Sequence, residues 1–439
     1  MEFVDQLSLK LLPLVSKMNN QRHLVSIRDG FIVTMPLVLA ASIMLLLNAL
    51  VFSNTFVQKF IDLSFLSNSA LIINNGTMAI LAILVCYHIG FNLANYYITS
   101  GIIKDKTWSA NHAGVLSIAV MFIVLPLQNK VPLENGQTSL VSGVFSQEFT
   151  GSSGLVIGMI CALLATELFV KLSKTPKLKI KMPEGVPPAI ATSFGSLLPE
   201  IIVVFLFGTF AFILQTYFHL DFPTLIVKII QSPLKFLVLS VPGMLFLQFF
   251  SDFLWVFGMH GNSIIAPIRY APLLQSISQN IEAFAAGHKI PNIITDPFTN
   301  AFGLIGGGGC ILPLIITILW LSKRKDQHKI AKLGLTPCLF NITEPIMFGM
   351  PVVMNPIYMI PCALIPSINI SIAYLLTSFG LIDRTVAAVP WITPPILQSF
   401  LATGGDIKAA IVTVLLIILD VFLFAPFVLA ANKAKEETG

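Results

Sequence analysis

Long runs of apolar residues constrain the fold of this chain more than any other feature. Residues 31–52 and 411–431 contain at most one charged residue each, and each is close to the roughly 20 residues that a helix needs to cross a bilayer core. Hydrophobic residues make up 55% of the 439 residues and charged residues only 11%, which excludes a water-soluble globular protein. The runs are apolar on every face, whereas the strands of a membrane barrel alternate. The sequence therefore predicts an all-α polytopic membrane protein.

The apolar runs divide the chain into a regular first half and an irregular second half. Simple crossings are predicted at about 30–52, 71–97, 113–127, 154–172 and 197–219. In the second half, residues 258–297 are too polar for a simple span, and six prolines interrupt residues 335–366. Interrupted helices at membrane depth need neighbouring protein or a water-filled cavity, so two of them predict a transport site. We assign residues 1–219 to a scaffold or oligomer-contact half and residues 220–439 to a substrate-binding half.

Basic residues indicate how the chain is oriented in the membrane. The formal charge of +5 is concentrated in short segments such as Lys171–Lys181 and Lys323–Lys332, a pattern typical of cytoplasmic loops and not of nucleic-acid binding. For Lys323–Lys332, either residues 258–297 add an odd crossing that places it inside, or this cluster is an exception to the rule. Apolar and polar residues in Met1–Gln21 have helical spacing and predict a short amphipathic helix on the membrane surface. All five cysteines lie in apolar stretches without metal-ligand spacing, so no metal or cofactor is expected.

The stretch Leu339–Met350 contains the first candidate site for a ligand. Asn341, Thr343 and Glu344 fall within four residues of an otherwise apolar segment, and Pro345 disfavours helical backbone at Glu344. The chain is therefore predicted to turn there and to present an amide, a hydroxyl and a carboxylate together. Such groups suit a small polyhydroxylated ligand. The alternative is a structural kink with a neutral buried glutamate.

A second candidate lies at residues 248–263. His260 is flanked by Gly258 and Gly261, which permit a tight turn, and Asn262 and Trp255 are close in sequence. An aromatic face at this point can pack on the apolar face of a sugar ring. The alternative is a loop histidine that is hydrogen-bonded to backbone.

Other polar or flexible positions have structural interpretations. Asp252 is predicted to anchor a turn, and Glu200 to complement the N-terminus of a helix. Glu167 and Asp420 are predicted to pair with a lysine or with backbone. The run Gly306–Gly309 is predicted to allow close packing.

Three motifs give the chain a resemblance to a known family. They are RDGFIVTMP at 28–36, GMHGNS at 258–263 and NITEPIMFGMPVVMNP at 341–356. With the overall hydropathy they resemble enzyme IIC, the membrane subunit of bacterial sugar phosphotransferase systems (PTS), in the lactose/cellobiose/diacetylchitobiose group. The resemblance implies about ten transmembrane helices, two re-entrant hairpins and short interfacial helices, with a homodimer formed by the N-terminal half. It also implies that His260 and Glu344 line the sugar site, and that Glu344 binds the hydroxyl that becomes phosphorylated.

The function that the resemblance implies is that of a permease subunit in the bacterial plasma membrane. It would bind an extracellular disaccharide such as cellobiose or diacetylchitobiose, translocate it, and present it to a phosphorylated IIB protein on the cytoplasmic side. The chain would carry no phosphorylated residue of its own, because none of its cysteines lies in a polar loop, and the donor is expected to be a separate IIB protein. Asn341, Thr343, Asn262 and Trp255 are further candidate sugar contacts. A proton-coupled secondary sugar transporter, in which Glu344 and His260 relay a proton, remains the alternative, whereas an intramembrane hydrolase lacks a suitable constellation of residues.

Overall fold

The computed structural model describes most of the chain. It covers residues 20–53, 55–103, 108–126, 128–132, 138–180, 182–183, 185–350 and 352–436. The predicted surface helix at Met1–Gln21 lies outside the described residues, except for its last two positions.

Helices dominate the described residues. Their bounds are α1 Arg22–Leu47, α2 Thr55–Gln58, α3 Ser64–Asn75, α4 Leu81–Thr99, α5 Ala110–Ile123, α6 Gln147–Thr150, α7 Leu155–Ser173, α8 Pro188–Tyr217, α9 Phe222–Ile226, α10 Ser232–Leu239, α11 Val241–Val256, α12 Gly261–Ala285, α13 Asp296–Gly303, α14 Ile311–Leu321, α15 Lys325–Leu339, α16 Glu344–Gly349, α17 Pro356–Ser378, α18 Pro395–Ala402 and α19 Ile407–Glu436. Two strands, β1 Gln128–Pro132 and β2 Thr138–Ser142, form an antiparallel hairpin that the sequence analysis did not predict.

Several helical stretches are long and apolar enough to cross a membrane. In the described part of the chain there are seven: Arg22–Phe52, Ser64–Thr99, Ser152–Ser173, Ile190–Tyr217, Phe222–Leu239, Pro356–Ser378 and Ile407–Asn432. Helices α5, α11 and α14 are shorter but also apolar. The predicted polytopic helical fold is confirmed, and each simple crossing predicted in the first half lies on one of these helices. The crossing at Phe222–Leu239 was not predicted as a separate helix.

One compact unit consists of residues 20–38 and 72–234. Helices α4, α5 and α7 pack on one another there, and small residues let their backbones approach closely. A methyl group on Gly90 would overlap the Ser117 side chain. The interpretation of Glu200 was wrong, because α8 begins at Pro188 and includes Pro199 in its interior. Glu200 therefore lies within the helix, where its carboxylate pairs with His112 Nδ1 at 2.8 Å.

Among the described residues, the other unit consists of residues 39–71 and 235–436. The predicted interruption of 335–366 is confirmed in part: the helices break at 340–343 and 350–355, but α17 then continues through Pro361 and Pro366. A proline inside a helix is tolerated in membrane proteins where other groups satisfy the freed carbonyl. The polar segment 258–297 contains a break before α12, then the 25-residue helix itself, and then a loop before α13.

Candidate functional site

Three interruptions between helices meet in the second unit. They are the turn at residues 257–260, the glycine-rich loop at 304–310 and the segment at 340–355. Met354 N–H donates to the carbonyl of Val256 at 2.9 Å, which joins the third segment to the end of α11 directly before the first. Gly306 N–H donates to Asn341 Oδ1 at 3.0 Å, which joins the second and third. The two segments predicted from sequence to form the site are therefore adjacent.

The glycine-rich loop packs directly on the site residues. A Cβ atom at Gly307, which has a φ of +92°, would overlap Thr343 Cγ2 and lie 2.6 Å from the carbonyl oxygen of Asn341. A Cβ atom at Gly308 would lie 3.1 Å from Trp255 Cδ1. The close packing predicted for Gly306–Gly309 is confirmed in part: the glycines allow close approach, but they lie in a loop and not between two helices.

Glu344 is the first residue of α16 and its side chain is exposed. The predicted turn falls just before it, where Asn341 adopts left-handed backbone with a φ of +62°. Glu344 itself is helical, which corrects the expectation from Pro345. A proline near the start of a helix costs little because its missing N–H has no partner within the helix there.

Asn341 and Thr343 are buried beneath this helix start, at 6% and 3% exposure. The amide of Asn341 donates to the carbonyl oxygens of Trp391 and Thr393, the latter at 3.1 Å, and its oxygen accepts from Gly306. The side-chain amide thus joins the glycine-rich loop to the loop at 391–393. The loop at 391–393 contributes to the site through its backbone carbonyl groups, and no sequence pattern connected it to Asn341.

His260 is exposed and precedes the first turn of α12. Its Nδ1 accepts from the backbone N–H of Ser263 at 3.3 Å and lies 2.9 Å from the Ser263 hydroxyl. A neutral imidazole that accepts through Nδ1 carries its proton on Nε2. The site therefore has a ring N–H donor at Nε2.

Trp255 forms a wall beside His260. The two ring centroids are 4.6 Å apart with an edge-to-face arrangement, and the Phe348 ring lies 6.4 Å from Trp255. The indole is buried, and its Nε1 has no hydrogen-bond partner among the described residues. Asn262 accepts a hydrogen bond from the Ser251 hydroxyl at 2.9 Å.

Asp252 is buried behind this wall. Its carboxylate accepts from Gly309 N–H at 3.0 Å and from Gln248 Nε2 at 2.7 Å. It is predicted to anchor a turn, and the turn that it holds is the glycine-rich loop, 57 residues away in sequence. No group of three or more His, Cys, Asp or Glu side chains among the described residues is placed to hold a metal ion.

The arrangement defines a class of protein: a polytopic helical membrane transporter with an irregular polar site. Comparison with known proteins narrows this class. The family model described as "Phosphotransferase system, EIIC" matches residues 28–366. The Lichenan permease IIC component of Bacillus subtilis (strain 168) is 33% identical, and the match covers 97% of this chain and 93% of that protein. The cellobiose-specific EIIC component of Lactococcus lactis subsp. lactis (strain IL1403) is 31% identical over 97% of each chain.

A solved structure gives the same result. The crystal structure of ChbC, the IIC component from the N,N'-diacetylchitobiose-specific phosphotransferase system, matches with a TM-score of 0.87 and 31% identity over 98% of each chain. The chain belongs to the EIIC family of phosphotransferase system sugar transporters. It is a multi-pass protein of the bacterial plasma membrane and a PTS sugar permease subunit, which excludes the proton-coupled alternative. Membership in this family implies a sugar substrate and a cytoplasmic IIB partner.

Proposed function

We propose that this permease binds a disaccharide of the cellobiose or diacetylchitobiose kind at the three meeting interruptions, with Glu344 and His260 in contact with the sugar. The observation that carries the proposal is that the structure joins the segments of these two exposed side chains through the Met354–Val256 hydrogen bond. A carboxylate and a ring N–H on adjacent segments are suited to hold one hydroxyl group between an acceptor and a donor. The names of the EIIC relatives supply the sugar class.

In this proposal Glu344 is the general base. Its carboxylate orients the sugar hydroxyl and accepts its proton as the oxygen attacks phosphorus, a role that a positioned carboxylate can fill. The new O–P bond forms as the S–P bond of the IIB phosphocysteine breaks, and the thiolate leaves with the IIB protein.

His260 complements this base. Nδ1 accepts from Ser263, and in this proposal Nε2–H donates to the sugar hydroxyl or to a phosphoryl oxygen as charge develops. Trp255 is proposed to pack on the apolar face of a sugar ring. Asn262 is proposed as a peripheral contact.

Asn341 and Thr343 are proposed to position Glu344. All three hydrogen bonds of the Asn341 amide go to backbone groups of neighbouring loops, so its contribution is to hold the turn that precedes the carboxylate. Thr343, packed against Gly307, limits where this turn can move.

Transport follows from binding and chemistry together. Movement of the substrate-binding half, residues 220–439, against the scaffold half, residues 1–219, carries the sugar inward, and phospho-IIB then docks on the cytoplasmic face. Phosphorylation traps the sugar because a charged product does not diffuse back through the bilayer. We also propose that the chain works as a homodimer joined through the scaffold half.

Reconstituted vesicles test the proposed function. Labelled cellobiose and diacetylchitobiose are supplied outside, with or without phosphorylated IIB protein enclosed on the side of the cytoplasmic surface. The proposal predicts that sugar phosphate accumulates only when phospho-IIB is present, and the sugar that accumulates names the substrate. Uptake of unmodified sugar against its gradient without phospho-IIB would contradict it.

A further inference from the structure

A cavity of about 550 Å³ lies in the unit formed by residues 20–38 and 72–234, and the sugar proposal does not use it. Three helix ends form it: the first residue of α1, the last turn of α4 with the residues just after it, and the last three turns of α7. It is lined by Arg22, Tyr97, Ile102, Leu164, Glu167, Leu168, Val170, Lys171 and Lys174. The lining has a basic edge, formed by Arg22, Lys171 and Lys174, and an apolar wall, which includes Leu164 and Ile102.

The basic edge carries a net positive charge. Arg22, Lys171 and Lys174 contribute three cations against the one carboxylate of Glu167. Both lysines are exposed, and neither forms an ion pair within the part of the chain that the structure describes. Their ammonium groups are therefore available to an anion.

Glu167 does not repel an anion as a free carboxylate would. Its oxygens accept from Arg22 Nε at 3.1 Å and from the Tyr97 hydroxyl at 2.7 Å, and His23 Nε2 lies 2.6 Å away. The Arg22 guanidinium and the Lys174 ammonium also lie over the Tyr97 ring, at 5.1 and 5.2 Å from its centroid. This network holds the basic edge in place and satisfies the carboxylate internally.

The apolar wall is exposed on the surface of this unit. Leu164 and Ile102 are 50% and 44% exposed, and Leu164 lies on the membrane-spanning stretch Ser152–Ser173. Lys171 and Lys174 lie where that stretch ends and belong to the basic segment Lys171–Lys181, which is predicted to be cytoplasmic. A tyrosine beside such cations is typical of the level of lipid headgroups. Apolar side chains along the spanning stretch and cations at its end match the acyl chains and the phosphate group of a phospholipid.

We propose that this cavity is a binding site for an anionic phospholipid of the cytoplasmic leaflet. The phosphate diester lies between Lys171, Lys174 and Arg22, and an acyl chain follows Leu164 and Ile102. A phosphate group is the chemistry that the basic edge recognises, and the adjoining apolar wall favours a lipid over free inorganic phosphate.

Native mass spectrometry of the full chain in detergent tests the site. Phosphatidylglycerol is titrated, with phosphatidylcholine of the same acyl chains as the zwitterionic comparison and 10 mM inorganic phosphate as a competitor. We expect the tightest phosphatidylglycerol site to weaken roughly 10- to 30-fold when Lys171→Gln and Lys174→Gln are combined, since each cation near an anionic lipid strengthens binding several-fold.

A matched pair of substitutions controls for general surface charge. Lys177 and Lys179 are exposed on the same basic segment but do not line the cavity, so combining Lys177→Gln with Lys179→Gln is expected to change affinity less than about threefold. Melting temperatures without lipid show whether each variant is folded. The proposal is overturned if both double variants lose the same affinity for phosphatidylglycerol, or if the wild-type protein binds phosphatidylglycerol and phosphatidylcholine equally. Complete displacement of phosphatidylglycerol by inorganic phosphate would contradict the lipid site and would identify a site for a free anion.

Discussion

Two regions of the molecule satisfy their backbone hydrogen-bonding groups in opposite ways. In the bundle of α4, α5 and α7, the backbone hydrogen bonds are made within regular helices, and small residues such as Gly90 bring the helices together. At the proposed sugar site, the chain leaves helical geometry repeatedly, with left-handed backbone at Cys310, Asn341 and Met354. Backbone that is not helical must find partners elsewhere, and here Asn341 and Asp252 supply them. Regularity serves stability in the bundle, and irregularity at the site exposes groups for a ligand.

The largest effect is expected at the carboxylate of the site. Glu344→Gln keeps the shape of the side chain but cannot accept a proton. We expect phosphorylation of the sugar to fall about 10²- to 10⁴-fold, the range of general-base contributions, while sugar affinity changes less than about tenfold. Sugar-phosphate formation with phospho-IIB and equilibrium sugar binding measure the two quantities. Equal loss of both would make Glu344 a binding residue only.

The glycine-rich loop tests whether site geometry depends on close packing. Gly307→Ala places a methyl group against Thr343 and Asn341 at a φ of +92°, and we expect it to cost about 2–4 kcal/mol and to abolish sugar binding. Gly380→Ala is the matched control, because its φ is +72° but nothing lies within 4 Å of the added methyl group. It is expected to cost about 1 kcal/mol and to leave binding intact. Thermal unfolding and sugar titration compare the two variants.

The bundle is expected to respond in stability alone. Gly90→Ala adds a methyl group that overlaps Ser117 and lies 3.0 Å from the Ala113 carbonyl oxygen, so we predict a loss of about 1–3 kcal/mol. Transport per folded molecule is expected to stay unchanged in vesicles, with the amount of folded protein measured in parallel. A fall in the sugar affinity of the folded fraction would show that the bundle also determines binding, and would contradict the division between the two regions.

A smaller effect is expected at the aromatic wall. Trp255→Phe replaces the indole with a smaller aromatic ring and reduces the surface against which a sugar ring can pack, so sugar binding should weaken about 3- to 10-fold. The control is Trp320→Phe, since Trp320 is 61% exposed and its ring lies edge-on to Phe422. Titration of cellobiose against both variants distinguishes them. Equal behaviour of both variants would remove Trp255 from the proposed site.

The smallest effect concerns an exposed ion pair. Arg324 Nη2 lies 2.6 Å from Asp326 Oδ2, and the hydrogen bond from Arg324 lowers the pKa of Asp326 to about 2. Because the folded pKa is below the unfolded one, the pair stabilises the fold above about pH 4, and this contribution is lost as pH falls toward 2. Solvent screening limits it to at most about 1 kcal/mol. Asp326→Asn should therefore lower the melting temperature slightly at pH 7 and not at pH 2.

The sequence predicted the position of the site better than its internal contacts. Glycine and proline mark the breaks around His260 and Glu344, since both residues disturb regular helices, and the breaks occur near those positions. The bonds that hold the site together join residues 50 and 57 positions apart, from Asn341 to Trp391 and from Asp252 to Gly309. No local pattern encodes such pairs. Pro361 did not mark a helix break as predicted, because α17 continues through it. The free-energy cost of a proline inside a helix depends on whether neighbouring groups satisfy the freed carbonyl.

A structure with bound cellobiose or diacetylchitobiose is the most direct test of the central claim. The account predicts one sugar hydroxyl oxygen within about 2.6–3.2 Å of both a Glu344 carboxylate oxygen and His260 Nε2, with a sugar ring packed on Trp255. A sugar held elsewhere in the molecule, with neither Glu344 nor His260 in hydrogen-bond contact, would contradict it.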